Sequence, residues 1–377
     1  MRRPRVVVLR GHNATPWELR TWELLLDRFD VTVAVTGSNR YDVSSLSLPR
    51  SRVRALRDRI PRGRAGELAT LALGDRYLGL EEALRGADLV HSAELGVWFS
   101  GQPAELKRRL GFRLVLTVWE TIPFCATFRA FRGRAHRTSA LAEADLYLAA
   151  TERARRCLLL EGAPAKRIEV APPGIDAERF AAAAGAAQAG AAQARGEHVI
   201  VSPGRLVWEK GHYDVVRALA VLEGMPRLAI VGAGPEQKRL ERYATDLGVA
   251  DRVEIRSVRY EEVPTVFAQA SCVVLASLPI PLWEEQFGMV LAEAMAARAP
   301  IAASASGAIP EVLAGSGAPL FEPGDWLGLA SLLREGPLAR PPGERVVYPQ
   351  ELVERYSSRA AAERLAAAYE RVLGLPG

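Results

Sequence analysis

Short apolar runs alternate with longer amphipathic stretches along almost the whole chain. That alternation restricts the architecture to a mostly parallel sheet with helices on both faces. In the first 175 residues the runs are Val6–Leu9, Val31–Val35, Asp88–Val90, Arg113–Val118, Leu146–Ala149 and Ile168–Val170. Helix-like segments such as Trp17–Arg28, Gly79–Arg85 and Ala154–Leu160 separate them. From about Phe180 to Gly196 the pattern lapses into an Ala/Gly/Gln-rich stretch with almost no charge or large apolar side chains. It reads as a surface connection with room for a partial helix. The alternation then restarts with Val199–Ser202, Leu228–Val231, Val253–Ile255, Cys272–Ala276 and Pro300–Ala303. A chain of 377 residues is too long for one core, so two domains are expected, 1–175 and 198–355, joined by a connector over 176–197. Two open α/β sheets in tandem leave a cleft, and such sheets bind ligands beyond the carboxyl ends of their strands.

Several classes are excluded. No apolar run approaches 18 residues, so no transmembrane helix is expected. Val6–Leu9 is too short for a signal-peptide core. The three cysteines, Cys125, Cys157 and Cys272, are far apart and form no CxxC, which argues against a disulfide framework or a zinc site and fits a reducing cytoplasm. Charge is uneven: residues 1–175 carry 29 Lys/Arg against 19 Asp/Glu, and the remainder carries 20 against 25. Either the first half has an anionic partner or the composition simply favours arginine. No nucleic-acid partner is expected.

Two stretches carry chemistry. Ser202-Pro-Gly-Arg-Leu-Val-Trp-Glu-Lys-Gly211 lies between a strand and a helix N-terminus, where free N–H groups favour an anion. Arg205 offers a planar fork and Lys210 a compact charge, both suited to a diphosphate; an ordinary solvated turn fits equally. In the second, Glu284-Glu-Gln-Phe-Gly-Met-Val-Leu-Ala-Glu-Ala-Met-Ala-Ala297, a helix from Met289 would be apolar all round except for Glu293. A lone buried carboxylate costs several kcal/mol unless partnered. No cation lies one turn away, so sugar or ribose hydroxyls would satisfy it; a structural carboxylate tied to a distant arginine is the rival reading. Glu285 lies in the loop before Gly288, where the backbone can approach a ligand.

The order Gly-Arg-Leu-x-x-x-x-Lys-Gly, Val-Gly-x-Gly-Pro and Glu-x7-Glu resembles the retaining glycosyltransferases of family four, of the GT-B fold. Gly307-Ala-Ile-Pro-Glu-Val312 and Ala171-Pro-Pro-Gly-Ile-Asp-Ala-Glu-Arg-Phe180 add to the likeness, which covers roughly residues 166–330. The resemblance implies two Rossmann-like domains facing across a cleft, with a C-terminal helix over 356–377 crossing back to complete the N-terminal domain. It implies that Arg205 and Lys210 hold the diphosphate of a nucleoside-diphosphate sugar, that Glu293 accepts from the ribose and that Glu285 contacts the transferred sugar. Gly204, Phe287, Gly288, Met289 and Val290 would line the donor site, and Val258 would lie near the base. Gly232 and Gly234 read as a tight turn beside the donor, because the third glycine of a dinucleotide fingerprint is replaced by Gln237. No Asp-x-Asp occurs, so the protein's own cations are expected to stand in for a metal; no metal and no cofactor besides the co-substrate are expected.

In the first half, His91 and Glu120 follow strands and are candidates for the acceptor side, and the loop of Gly11 resembles the family's glycine-containing loop. Ala93 stands where the family pattern often has a second histidine, so Glu94 or His91 would share that task; a core histidine and a capping carboxylate are the rival readings. Arg50–Arg64 holds seven arginines against one aspartate, and Arg129, Arg132, Arg134 and Arg137 form a second group. Val53, Leu56 and Ile60 fall near one face of a helix, so this segment suits an anionic membrane surface, and lipid-linked or small anionic acceptors both fit. The expected activity is sugar transfer to a hydroxyl acceptor by a cytoplasmic enzyme, peripheral on the inner membrane face if the arginines dock there. The rivals are a sugar-nucleotide 2-epimerase of related architecture and an inactive sugar-nucleotide-binding partner.

Overall fold

In a computed structural model describing residues 2–61, 63–125, 129, 131–189 and 196–375, the chain forms two compact units. Unit one comprises 1–174 with 358–377, and unit two 175–357.

Unit one holds a parallel sheet of β1 (Arg5–Leu9), β2 (Asp30–Val35), β3 (Arg50–Arg52), β6 (Leu89–Ala93), β7 (Arg113–Val118), β8 (Leu146–Ala149) and β9 (Ile168–Val170). Its order is β3-β2-β1-β6-β7-β8-β9; β4 (Arg54–Ala55) and β5 (Tyr77–Leu78) form a separate antiparallel pair. The central strands are buried on both faces, as Val/Leu-rich parallel strands require, with Val6–Leu9 and Leu114–Leu116 all at 1% exposure or less. The first helix, Pro16–Glu23, starts where Thr15 accepts from the Glu18 amide and Pro16 pre-sets φ. It buries Trp22 against the C-terminal helix Ser358–Leu373, whose Ala362, Leu365, Ala366 and Tyr369 join the same core as Leu19 and Phe29.

Unit two carries β10 (Val199–Pro203), β11 (Arg227–Val231), β12 (Val253–Arg256), β13 (Cys272–Leu275), β14 (Ile301–Ser304) and β15 (Leu320–Phe321). Their order, β12-β11-β10-β13-β14-β15, reverses between β10 and β13; in unit one the reversal lies between β1 and β6. Such switch points open a crevice outside the carboxyl ends of the strands.

Two segments differ from the expectations. The Ala-rich stretch opens as a helix, Ala177–Ala189, that belongs to unit two. Phe180 anchors it, fully buried with its ring 5.8 Å from that of Phe267; one large apolar residue and the small Ala184 suffice to pack a face that has no visible periodicity. Residues 190–195 of the expected connector lie outside the described residues. The helical face through Val53, Leu56 and Ile60 is not formed. Arg50–Arg52 instead pairs with β2, Val53 N donates to Val35 O at 3.0 Å, and Leu56–Arg59 is a 3₁₀ turn. The open edge of β2 offers backbone partners that outweigh the weak helical pattern. Arg62 lies outside the described residues. No helix among the described residues is long and apolar enough to cross a membrane.

Candidate functional site

In unit two the expected residues occupy loops that follow five consecutive strands. After β10, Gly204 adopts φ 144°, and the loop is laced to the one after β11 by Leu206 N to Ala233 O at 3.0 Å and Glu236 N to Leu206 O at 3.0 Å. This contact needs Gly232 and Gly234: a Cβ would lie 1.8 Å from Gly204 O on the first and 2.4 Å from Leu206 O on the second. Both glycines therefore serve close backbone approach. Arg205 is exposed at the tip of the loop, while its carbonyl accepts from His212 Nε2 at 3.1 Å. His212 Nδ1 meets Ser202 Oγ at 2.8 Å, and burial pushes the imidazole down to about 4, so it is a neutral strut under the loop.

Lys210 turns inward. Its Nζ donates to Glu285 Oε2 at 2.6 Å and lies 5.0 Å from the Trp283 ring centroid. Ser277, just after β13, donates to the same oxygen at 2.6 Å. The loop after β14 holds the Glu285 backbone, because Ala308 N donates to its carbonyl at 2.8 Å. Gly307, at φ 56°, leaves no room there for a side chain, since its Cβ would sit 2.1 Å from Glu285 O. The structure thus joins the half-buried Lys210 and the buried Glu285, 75 residues apart, into a charge pair.

Gly288, at φ 79°, caps the helix Met289–Ala296. Met289 and Val290 are half-buried at its first turn, where amides have no intrahelical partner. The Phe287 side chain is core, its ring 5.3 Å from that of Tyr356. Glu293 is buried as its apolar helix requires, and its partner is one that local inspection missed: Tyr260 donates to Oε1 at 3.2 Å. The Arg179 guanidinium covers the Tyr260 ring at 4.5 Å. Burial pushes the Glu293 carboxyl up to about 7, against the Tyr260 hydrogen bond and the Arg179 charge, which lower it. Val258 is half-buried just beyond β12.

Unit one corrects two expectations. His91 is fully buried, with Nδ1 on the Tyr369 hydroxyl and Nε2 2.7 Å from Thr117 Oγ1. Both ring nitrogens are spent and burial, with the Arg10 charge, holds the pKa well below its usual value; His91 is a neutral core histidine, which leaves it no lone pair or proton for a ligand. Glu120 Oε1 accepts from the amides of Thr121 and Ile122 at 2.9 and 2.8 Å, so that oxygen shapes its own loop. Gly11, at φ 58°, is required by packing, since a Cβ would meet the Phe99 ring at 2.6 Å; its amide donates to the Tyr77 hydroxyl at 2.9 Å. Glu94 is half-buried as a residue, at φ 63°, yet its Oε2 is enclosed without a partner among the described residues while Oε1 accepts from Trp119 N at 2.8 Å. Burial pushes this carboxyl up to about 8, and the Glu120 charge adds to the shift.

Residues 18–174 match the family model described as a glycosyl transferase 4-like domain, and residues 188–335 that of glycosyl transferases group 1. A GDP-mannose-dependent alpha-(1-6)-phosphatidylinositol monomannoside mannosyltransferase of Mycolicibacterium smegmatis is 36% identical over 162 residues, which is 40% of this chain and 41% of that protein. A D-inositol 3-phosphate glycosyltransferase of Nocardia farcinica is 31% identical over 69% of this chain and 62% of its own length. The chain thus spans about half the length of the curated relatives it matches. Among solved structures, HepE of Anabaena in complex with UDP is similar at a TM-score of 0.74 and 18% identity, covering 98% of this chain and all of that one. A sucrose-phosphate synthase of Thermosynechococcus elongatus is similar at 0.72 and 19%, covering 99% of this chain and all of that one. Both similarities are of fold.

Proposed function

The chain belongs to the glycosyltransferases of the group 1, family-four type with the GT-B fold, and on that premise we propose that it moves a sugar from a nucleoside-diphosphate sugar to a hydroxyl acceptor with retention of configuration. The observation that carries this reading is the convergence of strand-end loops on the Lys210–Glu285 pair and the first turn of the Glu293 helix. In the proposal, Arg205 and Lys210 take the diphosphate, one from the exposed loop tip and one from a half-buried and oriented position. The free amides at Met289 and Val290 add the positive end of a helix to the same anion. Glu285, held by Lys210 and Ser277, presents its remaining oxygen to the transferred sugar. Glu293 takes the ribose hydroxyls, sharing the task with Tyr260.

The chemistry is a displacement on one face of the sugar. The bond from the anomeric carbon to the leaving phosphate oxygen breaks as the bond to the acceptor oxygen forms, and the acceptor's proton passes to the departing phosphate. Charge grows on that phosphate in the transition state, where pre-aimed cations act most strongly. With two cations so placed, no metal is needed for the step. His91 has no part in it, and Glu120 serves by shaping its loop.

A thermal-shift screen across uridine, guanosine, adenosine and thymidine diphosphates identifies the base, since a ligand at 100 times its dissociation constant stabilises by about 2.7 kcal/mol. Incubation with the matching sugar donors and no acceptor then tests the activity. Slow hydrolysis supports the transferase. An epimerised sugar would make the chain a 2-epimerase, and binding with neither reaction would make it an inactive sugar-nucleotide binder.

A further inference from the structure

The two arginine groups, far apart in sequence, meet in unit one. An open pocket of about 1560 Å³ is lined by Arg40, Arg52, Arg57 and Arg132, together with the loops that follow β1 and β2. It therefore lies at the carboxyl ends of parallel strands, where open α/β sheets bind ligands. Its volume exceeds the 300–1,000 Å³ or so typical of small-molecule sites, so a sugar with a charged substituent fits within it.

The arginines fall into two kinds. Arg57 Nη1 donates to Gly66 O at 3.0 Å and Thr70 Oγ1 at 2.6 Å, and Arg132 Nη2 donates to Ala72 O at 2.6 Å. These bonds fix two guanidinium planes at the pocket, and those of Arg57 run to neutral groups. The Arg40 and Arg52 side chains are exposed and have no hydrogen-bonding or ionic partner among the described residues. The Arg40 amide is tied to His12 O at 2.9 Å, and Arg52 lies over the loop after β2, with Nη2 3.4 Å from where a Cβ on Gly37 would sit. The pocket's two carboxylates are already occupied. Asp58 takes the Ser38 hydroxyl at 2.6 Å and the amides of Ala55 and Gly37, and Asp75 takes His12 Nε2 and the amides of Arg57 and Arg76. Among the described lining residues, four arginines stand against two aspartates. One wall is the Trp98 ring, braced by Tyr77 at 4.6 Å and His12 at 5.1 Å between centroids, a surface on which the apolar face of a sugar or polyol can rest.

We propose that this pocket binds a phosphorylated sugar or polyol as the acceptor, its phosphate held by Arg40 and Arg52 and framed by Arg57 and Arg132. Planar guanidinium forks match the oxygens of a phosphate in a way that a diffuse positive surface does not. The proposal deepens the transferase reading by naming its acceptor class. The phosphate can belong to a soluble sugar phosphate or to a phospholipid-linked headgroup.

Equilibrium dialysis of the full chain against radiolabelled inorganic phosphate tests the site. Saturable binding is expected, falling roughly 10-fold or more in Arg40→Ala/Arg52→Ala, as loss of charge-assisted hydrogen bonds requires. The same variant keeps the wild-type melting temperature and nucleoside-diphosphate affinity, because neither side chain has a partner among the described residues and the proposed donor residues lie in the other unit. Arg40→Lys/Arg52→Lys retains part of the binding. Co-sedimentation with phosphatidylglycerol vesicles, lost in the Ala variant, assigns the phosphate to a lipid headgroup; phosphate binding without co-sedimentation assigns it to a soluble ester. Equal phosphate binding by wild type and the Ala variant, or none by either, overturns the proposal. Nucleoside-diphosphate binding is titrated separately, so a failed donor assignment is read apart from a failed phosphate site.

Discussion

Each unit buries a carboxyl group near the ends of its strands, and the two handle it differently. In unit two, Glu293 sits inside an apolar helix and receives the Tyr260 hydroxyl at 3.2 Å, with Arg179 near enough to lower its pKa. In unit one, Glu94 stands on a left-handed backbone, takes one amide and leaves Oε2 enclosed without a partner among the described residues, while Glu120 repels its charged form. Burial raises both, to about 7 and about 8 respectively. Glu293 is thus poised between acid and carboxylate at neutral pH, suited to accept hydroxyls, whereas Glu94 is mostly the neutral acid. The difference shows that partners, more than depth, decide whether a buried carboxyl stays ready to take a charge. Unit two extends the lesson through Glu285, which is also buried but is matched by Lys210 and Ser277.

The largest effect is expected from breaking that matched pair. Lys210→Ala should cut turnover by roughly 10²-fold or more, as loss of an oriented charge stabiliser does. It should also lower the melting temperature, because Glu285 is left buried with only Ser277. Arg205→Ala should lose turnover on a similar scale with an almost unchanged melting temperature, since its side chain is exposed. Equal thermal losses in the two variants would erase the distinction between the half-buried and the exposed cation.

Urea unfolding between pH 5 and pH 9 or so sharpens the Glu94–Glu293 contrast. Each folded pKa lies above the ordinary glutamate value of 4.5, so between the two values the folded state holds the extra proton and stability falls as pH rises. Wild type should lose on the order of a few kcal/mol over this range, with the Glu293 part complete near pH 7 and the Glu94 part near pH 8. Glu293→Gln should reduce the slope below about pH 7 and weaken nucleoside-diphosphate binding. Glu94→Gln should reduce the slope throughout, abolish it between about pH 7 and 8, and leave that binding intact. An unchanged slope in both variants would mean that neither carboxyl is perturbed.

Smaller effects should follow from removing the hydroxyl partners. Tyr369→Phe in unit one strips a partner from both His91 and Trp22, at a cost of about 1–3 kcal/mol for buried groups left unpaired. Tyr260→Phe in unit two should chiefly raise the Glu293 pKa further, displacing the pH dependence of nucleotide binding upward. If Tyr260→Phe shifts no pH profile, that hydroxyl does not tune Glu293. The smallest effect expected is none: excess chelator should leave turnover unchanged, and a complete, magnesium-restorable loss would reject the role given to the two cations.

The strand–helix alternation, the two-sheet fold and the placement of the stretches at 202–211 and 284–297 beyond strand ends were legible from sequence alone, because each depends on neighbours a few residues apart. A strand's apolar run, a glycine before a helix and a lone charge in an apolar helix are local facts. What depended on distant parts of the chain was invisible. The core role of His91 rests on Tyr369, 278 residues away. The partner of Glu293 is Tyr260, 33 residues upstream, where a search one helical turn to either side finds nothing. Val53, Leu56 and Ile60 read as one face of a helix until β2 captured residues 50–52 as a strand, and only then did Arg52 and Arg57 come to share a pocket with Arg132. Local periodicity encodes which face of an element is apolar; it carries no information about which charged or hydroxyl groups that face will meet. Those meetings are set by the strand order and by the C-terminal helix joining the core of unit one, and they exist only once the chain has closed on itself.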